Sequence, residues 1–356
     1  MSEHGGNIIE VAEQLGISPA SLFDFSANIN PLGAPARIKT LLVDNLHQIE
    51  RYPDIEYRHL HQALAQANYC SINHVIAGNG ATELIYALIR CLKPKRAMLL
   101  TPSFAEYRRA LLRAECEIID YPMLESDNFQ PDERLLAKLK HDKPDCLFIT
   151  TPNNPTGLMP DEALLSAIIH FCEQQQTHLI VDEAFIDFLP QGSQITQYLL
   201  TAKYLFILRS LTKFFAIPGL RLGYLLSGNQ AVITMMKEQR EPWSINALSA
   251  LVGEHLLNDY DYIRNSWRAI KKHRDYLYRE LAALPALTLW QPSANYLFFR
   301  CLTEIDLQQA LLKYKILIRH CKNYPGLTQH HYRIAVRSAP ENQRLVNALK
   351  QVLSDG

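Results

Sequence analysis

A short stretch in the middle of the chain combines one lysine with hydroxyl and guanidinium side chains. Lys213 directly follows Thr212, Ser210 lies just before them, and Arg221 follows in a loop that contains proline and glycine. A lysine amine can form an imine with an aldehyde, and hydroxyls together with a guanidinium bind a phosphate. The stretch therefore predicts a site for pyridoxal phosphate, which carries both groups. A surface loop that carries Ser, Lys and Arg without this function is the alternative, and the stretch alone leaves it open.

Composition limits the classes of function. The chain has 356 residues, 48% of them hydrophobic, which is enough for two domains with apolar cores. Lys plus Arg equals Asp plus Glu at 36 each, so no net charge attracts nucleic acid or an anionic membrane. The seven cysteines form no Cys-x-x-Cys pair, as expected of reduced thiols, and the sequence shows neither a signal peptide nor a membrane span. We expect a cytoplasmic protein that binds a small molecule and needs no metal.

Strand and helix patterns alternate between about residues 75 and 227. Alternation of this kind predicts an α/β domain whose mostly parallel sheet is covered by helices on both faces, with ligands beyond the carboxyl ends of the strands. About forty helical residues follow Ser244, and then a smaller unit that includes a strand over Ile316–Arg319. We predict an N-terminal arm (1–35) that joins the small domain, a large cofactor-binding α/β domain (36–243) and a small C-terminal α+β domain (244–356).

Polar groups occur where the predicted strands end. Asn154 lies in an Asn-Asn-Pro-Thr-Gly turn after one strand, and Asp182 ends the next. A carboxylate that faces a pyridine nitrogen keeps that nitrogen protonated, so the ring can accept electrons. Gly80, Ala81 and Thr82 open a helix whose N–H groups suit a phosphate. Taken singly, such features are also ordinary turns and helix caps.

Together these motifs resemble the fold-type I pyridoxal-phosphate enzymes of the class I and II aminotransferase branch, which includes the histidinol-phosphate aminotransferases. The resemblance covers nearly the whole chain. It implies that Asp182 faces the pyridine nitrogen, that Asn154 donates to the ring hydroxyl and that Tyr107 stacks on the ring. It also implies that Tyr52 reaches the cofactor phosphate of the neighbouring subunit, which would make the protein a homodimer with shared active sites.

One residue departs from the pattern of the aminotransferases. Phe185 stands three residues after Asp182, where family aminotransferases often carry a tyrosine that touches the ring oxygen. The absence of that hydroxyl argues against straightforward transamination.

Arginines in the predicted small domain indicate an anionic substrate. The resemblance implies that Arg333 binds the α-carboxylate and that Arg319 binds a substrate phosphate. Arg337 adds a third charge nearby, for which a solvated surface position is the alternative. Two anionic groups favour a phosphorylated amino acid as the substrate.

Within the branch, two N-terminal segments and the stretch after Asp182 are most similar to the threonine-phosphate decarboxylases of cobalamin biosynthesis. The segments are His4-Gly5-Gly6-Asn7 and Asn28 to Gly33. This similarity implies that L-threonine O-3-phosphate loses CO2 to give (R)-1-amino-2-propanol O-2-phosphate. It also implies that Asn30 lies in the substrate site and His4 over the substrate phosphate, although an idle terminus is the alternative for His4.

Two other functions remain open from the sequence. A histidinol-phosphate or related aminotransferase uses the same cofactor and differs in which bond at Cα lies perpendicular to the ring. A regulator that kept the fold and lost catalysis is the second alternative. The sequence shows no DNA-binding domain before residue 25 and no basic patch, which argues against a regulator.

Overall fold

The computed structural model describes residues 5–354. Its helices are α1 (Ile8–Leu15), α2 (Ala36–Asp44), α3 (Arg58–Ala67), α4 (Ala81–Leu92), α5 (Ala105–Arg113), α6 (Arg134–Asp142), α7 (Glu162–Gln175), α8 (Leu211–Phe214), α9 (Gln230–Gln239), α10 (Ala247–Leu256), α11 (Tyr260–Ala282), α12 (Leu307–Leu312) and α13 (Ala339–Ser354). Its strands are β1 (Phe23–Asp24), β2 (Val75–Gly78), β3 (Arg96–Thr101), β4 (Glu117–Pro122), β5 (Cys146–Thr150), β6 (His178–Asp182), β7 (Leu205–Ser210), β8 (Gly223–Ser227), β9 (Leu287–Leu289), β10 (Tyr296–Cys301), β11 (Ile316–Leu317), β12 (Arg319–His320) and β13 (His331–Ala335).

A seven-stranded sheet in the order β2-β8-β7-β6-β5-β3-β4 forms the centre of the larger domain. The strands from β4 to β7 pair in parallel, and β8 runs antiparallel to both of its neighbours. Strands β5 and β7 are buried along their whole length, because helices cover both faces of the sheet. The predicted α/β class with a mostly parallel sheet is confirmed.

The loops that carry the predicted cofactor ligands leave this sheet at one edge. Strands β5, β6 and β7 are adjacent and parallel, with Thr150 opposite Asp182 and Asp182 opposite Leu208. Strand β2 is antiparallel to β8, which is antiparallel to β7, so the carboxyl end of β2 lies at the same edge. The turn after β5, the acid that ends β6, the helix α8 after β7 and the start of α4 therefore converge.

The C-terminal part of the chain forms a four-stranded antiparallel sheet in the order β12-β13-β10-β9. A separate parallel pair joins β1 to β11, so the N-terminal arm is held by the small domain. The predicted continuous strand over Ile316–Arg319 is wrong, because it is interrupted at Ile318. Its first half pairs with the arm and its second half with β13.

The helical stretch after Ser244 consists of two helices. They are separated at Asp259, whose side chain caps α11 by accepting from the Tyr262 N–H group. Helix α10 packs on α3 so closely that a Cβ on Gly253 would lie 2.4 Å from Leu60 Cδ1. The predicted boundary at residue 244 assigns α10 to the small domain, whereas its packing places it with the large one. We propose that the change of domain follows α10. In the part of the chain from residue 5 to 354, every helix is too short or too polar to cross a membrane.

Candidate active site

A cleft of about 660 Å³ opens at the carboxyl edge of the large sheet, between this sheet, the N-terminal arm and the small domain. Of the residues predicted for the site, those that line it are Thr82, Asn154, Thr212, Lys213, Arg221 and Arg333. The convergence of the strand ends explains why residues far apart in sequence meet here.

Lys213 lies on α8, one turn after the end of β7. Its Nζ donates to Ser210 Oγ at 2.8 Å, and this oxygen is also 2.8 Å from Thr212 Oγ1. Burial lowers the pKa of Lys213 to about 8; the charge of Asp182 opposes this shift and that of Arg221 adds to it. The amine is therefore unprotonated more often than that of an ordinary lysine. The hydroxyl of Ser210, predicted as a phosphate ligand, is occupied in positioning this amine.

A cationic cradle lies at one end of the cleft. Thr82, at the start of α4, lines the cleft together with Arg221 and Thr212. Gly80 has a φ of +82°, and a Cβ there would lie 2.7 Å from Arg221 Nη2. The glycine thus lets the guanidinium approach the helix N-terminus, where the backbone of Ala81 and Thr82 adds N–H donors. This arrangement suits a phosphate.

Asp182 lies beneath the cleft floor and is buried. Its Oδ1 accepts from the Ala184 N–H group at 2.9 Å, and its Oδ2 accepts from the Tyr107 hydroxyl at 2.6 Å. Burial raises the pKa of Asp182, and the Tyr107 hydrogen bond, the charge of Lys213 and the Ala184 N–H group act against that rise. A buried carboxylate with these partners is suited to face a cationic ring nitrogen.

The structure does not place Tyr107 where a stacking residue would lie. Its ring is buried behind the cleft and stacks on Phe148, with centroids 5.0 Å apart. Phe104 lines the cleft instead and packs edge-on against Tyr107 at 5.6 Å. Phe104 immediately precedes α5, whereas Tyr107 lies in its first turn and faces the sheet. We therefore assign the proposed stacking to Phe104.

Asn154 is held by the small domain. Its Oδ1 accepts from Arg333 Nη1 and, at 3.4 Å, from the Tyr324 hydroxyl, which leaves its NH2 group to donate into the cleft. Arg333 also donates from Nη2 to the Ser26 carbonyl at 2.8 Å, while its buried Nε has no hydrogen-bond partner among residues 5–354. A fixed guanidinium with a remaining donor fits a carboxylate.

The other two arginines lie away from the cleft wall. The guanidinium of Arg319 lies 5.6 Å from the centre of the Tyr324 ring, behind this tyrosine, and donates to Asn323. Arg337 donates to Glu341 from Nε at 3.2 Å and from Nη2 at 2.8 Å. Because β13 ends before Arg337 and α13 starts just after it, this side chain pairs within the helix start. The geometry argues against the prediction that Arg337 binds substrate.

Two asparagines of the N-terminal arm have different surroundings. The Nδ2 of Asn30 donates to the Phe214 carbonyl and to Ser266 Oγ, and its Oδ1 accepts from Leu32, so its side chain holds the arm. The predicted substrate contact of Asn30 is therefore not supported. Asn28 lines the cleft, is 5% exposed, and neither polar atom of its side chain has a partner within residues 5–354. The sequence motif did not indicate that Asn28, and not Asn30, lines the cleft.

The remaining predicted residues lie at the periphery. His4 lies outside the described residues, but Gly5 and Gly6 line the cleft, and the Gly6 N–H group donates to Ser26 Oγ at 2.8 Å. Tyr52 is 81% exposed outside the cleft, with its ring 4.7 Å from that of Trp243. Any contact of Tyr52 with a cofactor would have to be in another subunit.

The side chains of the cleft fit pyridoxal phosphate. They supply an amine, a buried carboxylate, an amide donor and a cationic cradle, one for each polar group of this cofactor. A Cβ at residue 80 would occupy the space beside Arg221, and its absence in Gly80 supports the fit at the phosphate end.

Comparisons with known proteins agree with this geometry. The family model for aminotransferase class I and II matches residues 20–349. The threonine-phosphate decarboxylase of Salmonella typhimurium is 51% identical over 99% of this chain and 97% of its own. The adenosylcobalamin biosynthesis bifunctional protein CobDQ of Leptospira interrogans is 31% identical over 99% of this chain and 41% of its own. The crystal structure of histidinol-phosphate aminotransferase from Clostridium acetobutylicum superposes with a TM-score of 0.86 at 29% identity, covering 94% of this chain and 100% of that one. The chain belongs to the aminotransferase class I and II family.

Proposed function

We propose that the protein is a pyridoxal-phosphate-dependent carboxy-lyase that converts L-threonine O-3-phosphate into (R)-1-amino-2-propanol O-2-phosphate and CO2 in cobalamin biosynthesis. The similarity to the Salmonella decarboxylase along the whole chain carries this proposal. When bound, pyridoxal phosphate supplies an aldehyde that captures amines and a ring that accepts the electron pair released at Cα.

Five side chains are proposed to hold the cofactor. Lys213 offers its amine, Asp182 its charge to the ring nitrogen and Asn154 its NH2 group to the ring oxygen. Arg221 and Thr82 hold the phosphate together with the N-terminus of α4. Four of these side chains line one cleft, and the charge of the fifth, Asp182, acts on Lys213 in that cleft, which supports the assignment.

A second set of groups is proposed to orient the substrate. Arg333 and Asn28 line the cleft, and each has a buried donor without a partner among the described residues. Arg319 does not line the cleft, but its guanidinium lies 5.6 Å from the ring centre of Tyr324, which does. A substrate anchored by a carboxylate and by a phosphate has little freedom to rotate about Cα. This restraint selects the bond to the carboxylate as the one that breaks.

The proposed reaction requires one proton at Cα. The bond between Cα and the carboxylate carbon breaks, CO2 leaves, and a proton from Lys213 Nζ takes its place on Cα. With its pKa lowered to about 8, this amine can both lose and regain a proton near neutral pH.

The protein is further proposed to be a cytoplasmic homodimer. Tyr52 and Trp243 are exposed hydrophobic side chains outside the cleft whose rings lie 4.7 Å apart, and the segment before Tyr52 exposes Val43, Leu46 and Ile49. An exposed group of this kind favours a protein interface. The seven cysteines are all free thiols, which fits a reducing compartment.

The proposal is tested by incubating the holoenzyme with L-threonine O-3-phosphate without any 2-oxo acid. We expect CO2 and the amino-propanol phosphate to form, and unphosphorylated L-threonine to react far more slowly because one anchor is missing. No CO2 at saturating cofactor would contradict the proposal.

Histidinol-phosphate or related aminotransferase activity is the second candidate, favoured by the fold shared with the Clostridium enzyme. It requires 2-oxoglutarate and produces glutamate. Glutamate formed from histidinol phosphate, with no CO2 from threonine phosphate, would establish this candidate instead.

A further inference from the structure

The hydroxyl of Tyr107 has a specific place beneath the cleft, although its ring does not reach the cofactor site. It lies 2.6 Å from Asp182 Oδ2 and 2.9 Å from Thr150 Oγ1. The ring stacks on Phe148 and packs edge-on against Phe104. The phenol is therefore a rigid group with two polar neighbours.

The direction of these hydrogen bonds follows from the number of protons. A phenol has one proton, and an ionised carboxylate only accepts, so Tyr107 donates to Asp182 and Thr150 donates to Tyr107. Burial and the charge of Asp182 raise the pKa of Tyr107 well above its usual value, so the phenol keeps its proton. Tyr296, the other phenol nearby, donates to the Asn153 carbonyl instead.

Asp182 depends on this donor because its surroundings otherwise favour the neutral acid. Burial raises the pKa of Asp182, and three groups act against it: the Tyr107 hydroxyl, the charge of Lys213 and the Ala184 N–H group. Lys213 is engaged in holding the cofactor when the enzyme is loaded. Tyr107 is then the remaining side chain, among these three groups, that favours the charged carboxylate.

We propose that Tyr107 is a positioning residue whose hydroxyl, polarised by Thr150, keeps Asp182 ionised and directed at the cofactor ring nitrogen. Loss of this hydroxyl makes the carboxylate more basic, and the proton shared with the ring nitrogen then moves toward Asp182. The ring accepts electrons less well as a result. The inference rests on the proposed binding of pyridoxal phosphate but not on the choice between decarboxylation and transamination.

The test uses the holoenzyme loaded with pyridoxal phosphate that carries 15N in the ring. In the wild-type protein we expect the 15N chemical shift of a protonated ring nitrogen. In Tyr107→Phe it should move toward the value of an unprotonated nitrogen, and kcat should fall about tenfold with KM changed less than about twofold. Thr150→Val, which removes only the polarising donor, should give a smaller shift in the same direction.

Tyr198→Phe is the matched control. Its hydroxyl pairs with Ser166 at 2.8 Å, away from the cleft, so both the 15N shift and kcat should stay at the wild-type values. An unchanged 15N shift in Tyr107→Phe overturns the inference even if kcat falls, because a purely structural role lowers activity without moving this proton. A wild-type protein that fails to bind the labelled cofactor overturns the proposed function as well.

Discussion

The amine of Lys213 is proposed to capture the cofactor, and its burial determines the pH at which it does so. Its pKa is lowered to about 8 from 10.5. The rate at which the apoprotein captures pyridoxal phosphate should therefore rise with pH and level off above about pH 8. Stopped-flow absorbance measures this rate, and a rise that continues to pH 10 would contradict the assignment. Lys213→Ala should bind the cofactor only reversibly, so gel filtration should remove it.

A substitution at Gly80 tests the cationic cradle without removing any of its polar groups. Alanine there adds a methyl group 2.7 Å from Arg221 Nη2 at a backbone φ of +82°. We expect Gly80→Ala to weaken cofactor affinity about tenfold or more, measured by titration of the apoprotein. Gly16→Ala is the control, since φ there is +65° and no atom lies within 4 Å of the added Cβ. Equal losses in the two variants would show that backbone strain alone is responsible.

Sequence motifs predicted well which segments of the chain meet at the cleft. They predicted less well which side chains of those segments point into it. Asp182 ends one strand and Lys213 follows the next, and both strands were recognisable as apolar runs, so the convergence of the two residues followed from the parallel sheet. Asn28 and Asn30 occupy one loop, and the orientation of Asn30 depends on Ser266, which lies 236 residues away. A partner so distant leaves no local signal. The assignment of the stacking position to Phe104 and not to Tyr107 has a different cause, because the start of α5 determines which of the two rings faces the cleft.

At the level of elements, a largely buried ion cluster links β7, which precedes the helix of Lys213, to the segment that follows β6 and its last residue Asp182. Arg209 on β7 pairs with Glu183, just after β6, at 2.8 Å and with Asp187 at 3.1 Å. The cluster holds the acid and the lysine loops in register.

Removal of the cation from this cluster should destabilise the protein. Arg209→Met leaves the buried Glu183 and the half-buried Asp187 without a counter-ion, and we expect the free energy of unfolding in urea to fall by about 3–5 kcal/mol. Arg264→Met removes an exposed ion pair with Asp261 and should change the free energy of unfolding by less than about 1 kcal/mol. Similar small effects in both variants would contradict a structural role for the cluster.

The helices and strands were largely predictable where a single physical rule determines their position. Apolar runs bounded by turns predicted the parallel strands, since both faces of the sheet are covered. The interruption at Ile318 was not predictable, because it arises from two different pairing partners, the arm and β13. The packing of α10 on the large domain likewise depends on a close contact between Gly253 and Leu60 that sequence alone does not indicate.

At the scale of the whole molecule, the proposed homodimer makes each active site depend on two chains. If Tyr52 acts in the neighbouring site, a mixed dimer of Tyr52→Phe and Lys213→Ala chains contains one site with both residues intact. An equal mixture of the two inactive or impaired proteins, unfolded and refolded together, should recover about a quarter of wild-type activity. Recovery no greater than the sum of the separate variants would contradict shared sites.

The most direct measurement of the central claim is the fate of the bonds at Cα of L-threonine O-3-phosphate. In D2O, without any 2-oxo acid, the holoenzyme should release one CO2 for each amino-propanol phosphate formed, and the product should carry one deuterium at the carbon that lost the carboxylate. Exchange of the Cα hydrogen with retention of the carboxylate, or formation of a 2-oxo acid, would show that another bond is broken and would contradict the account.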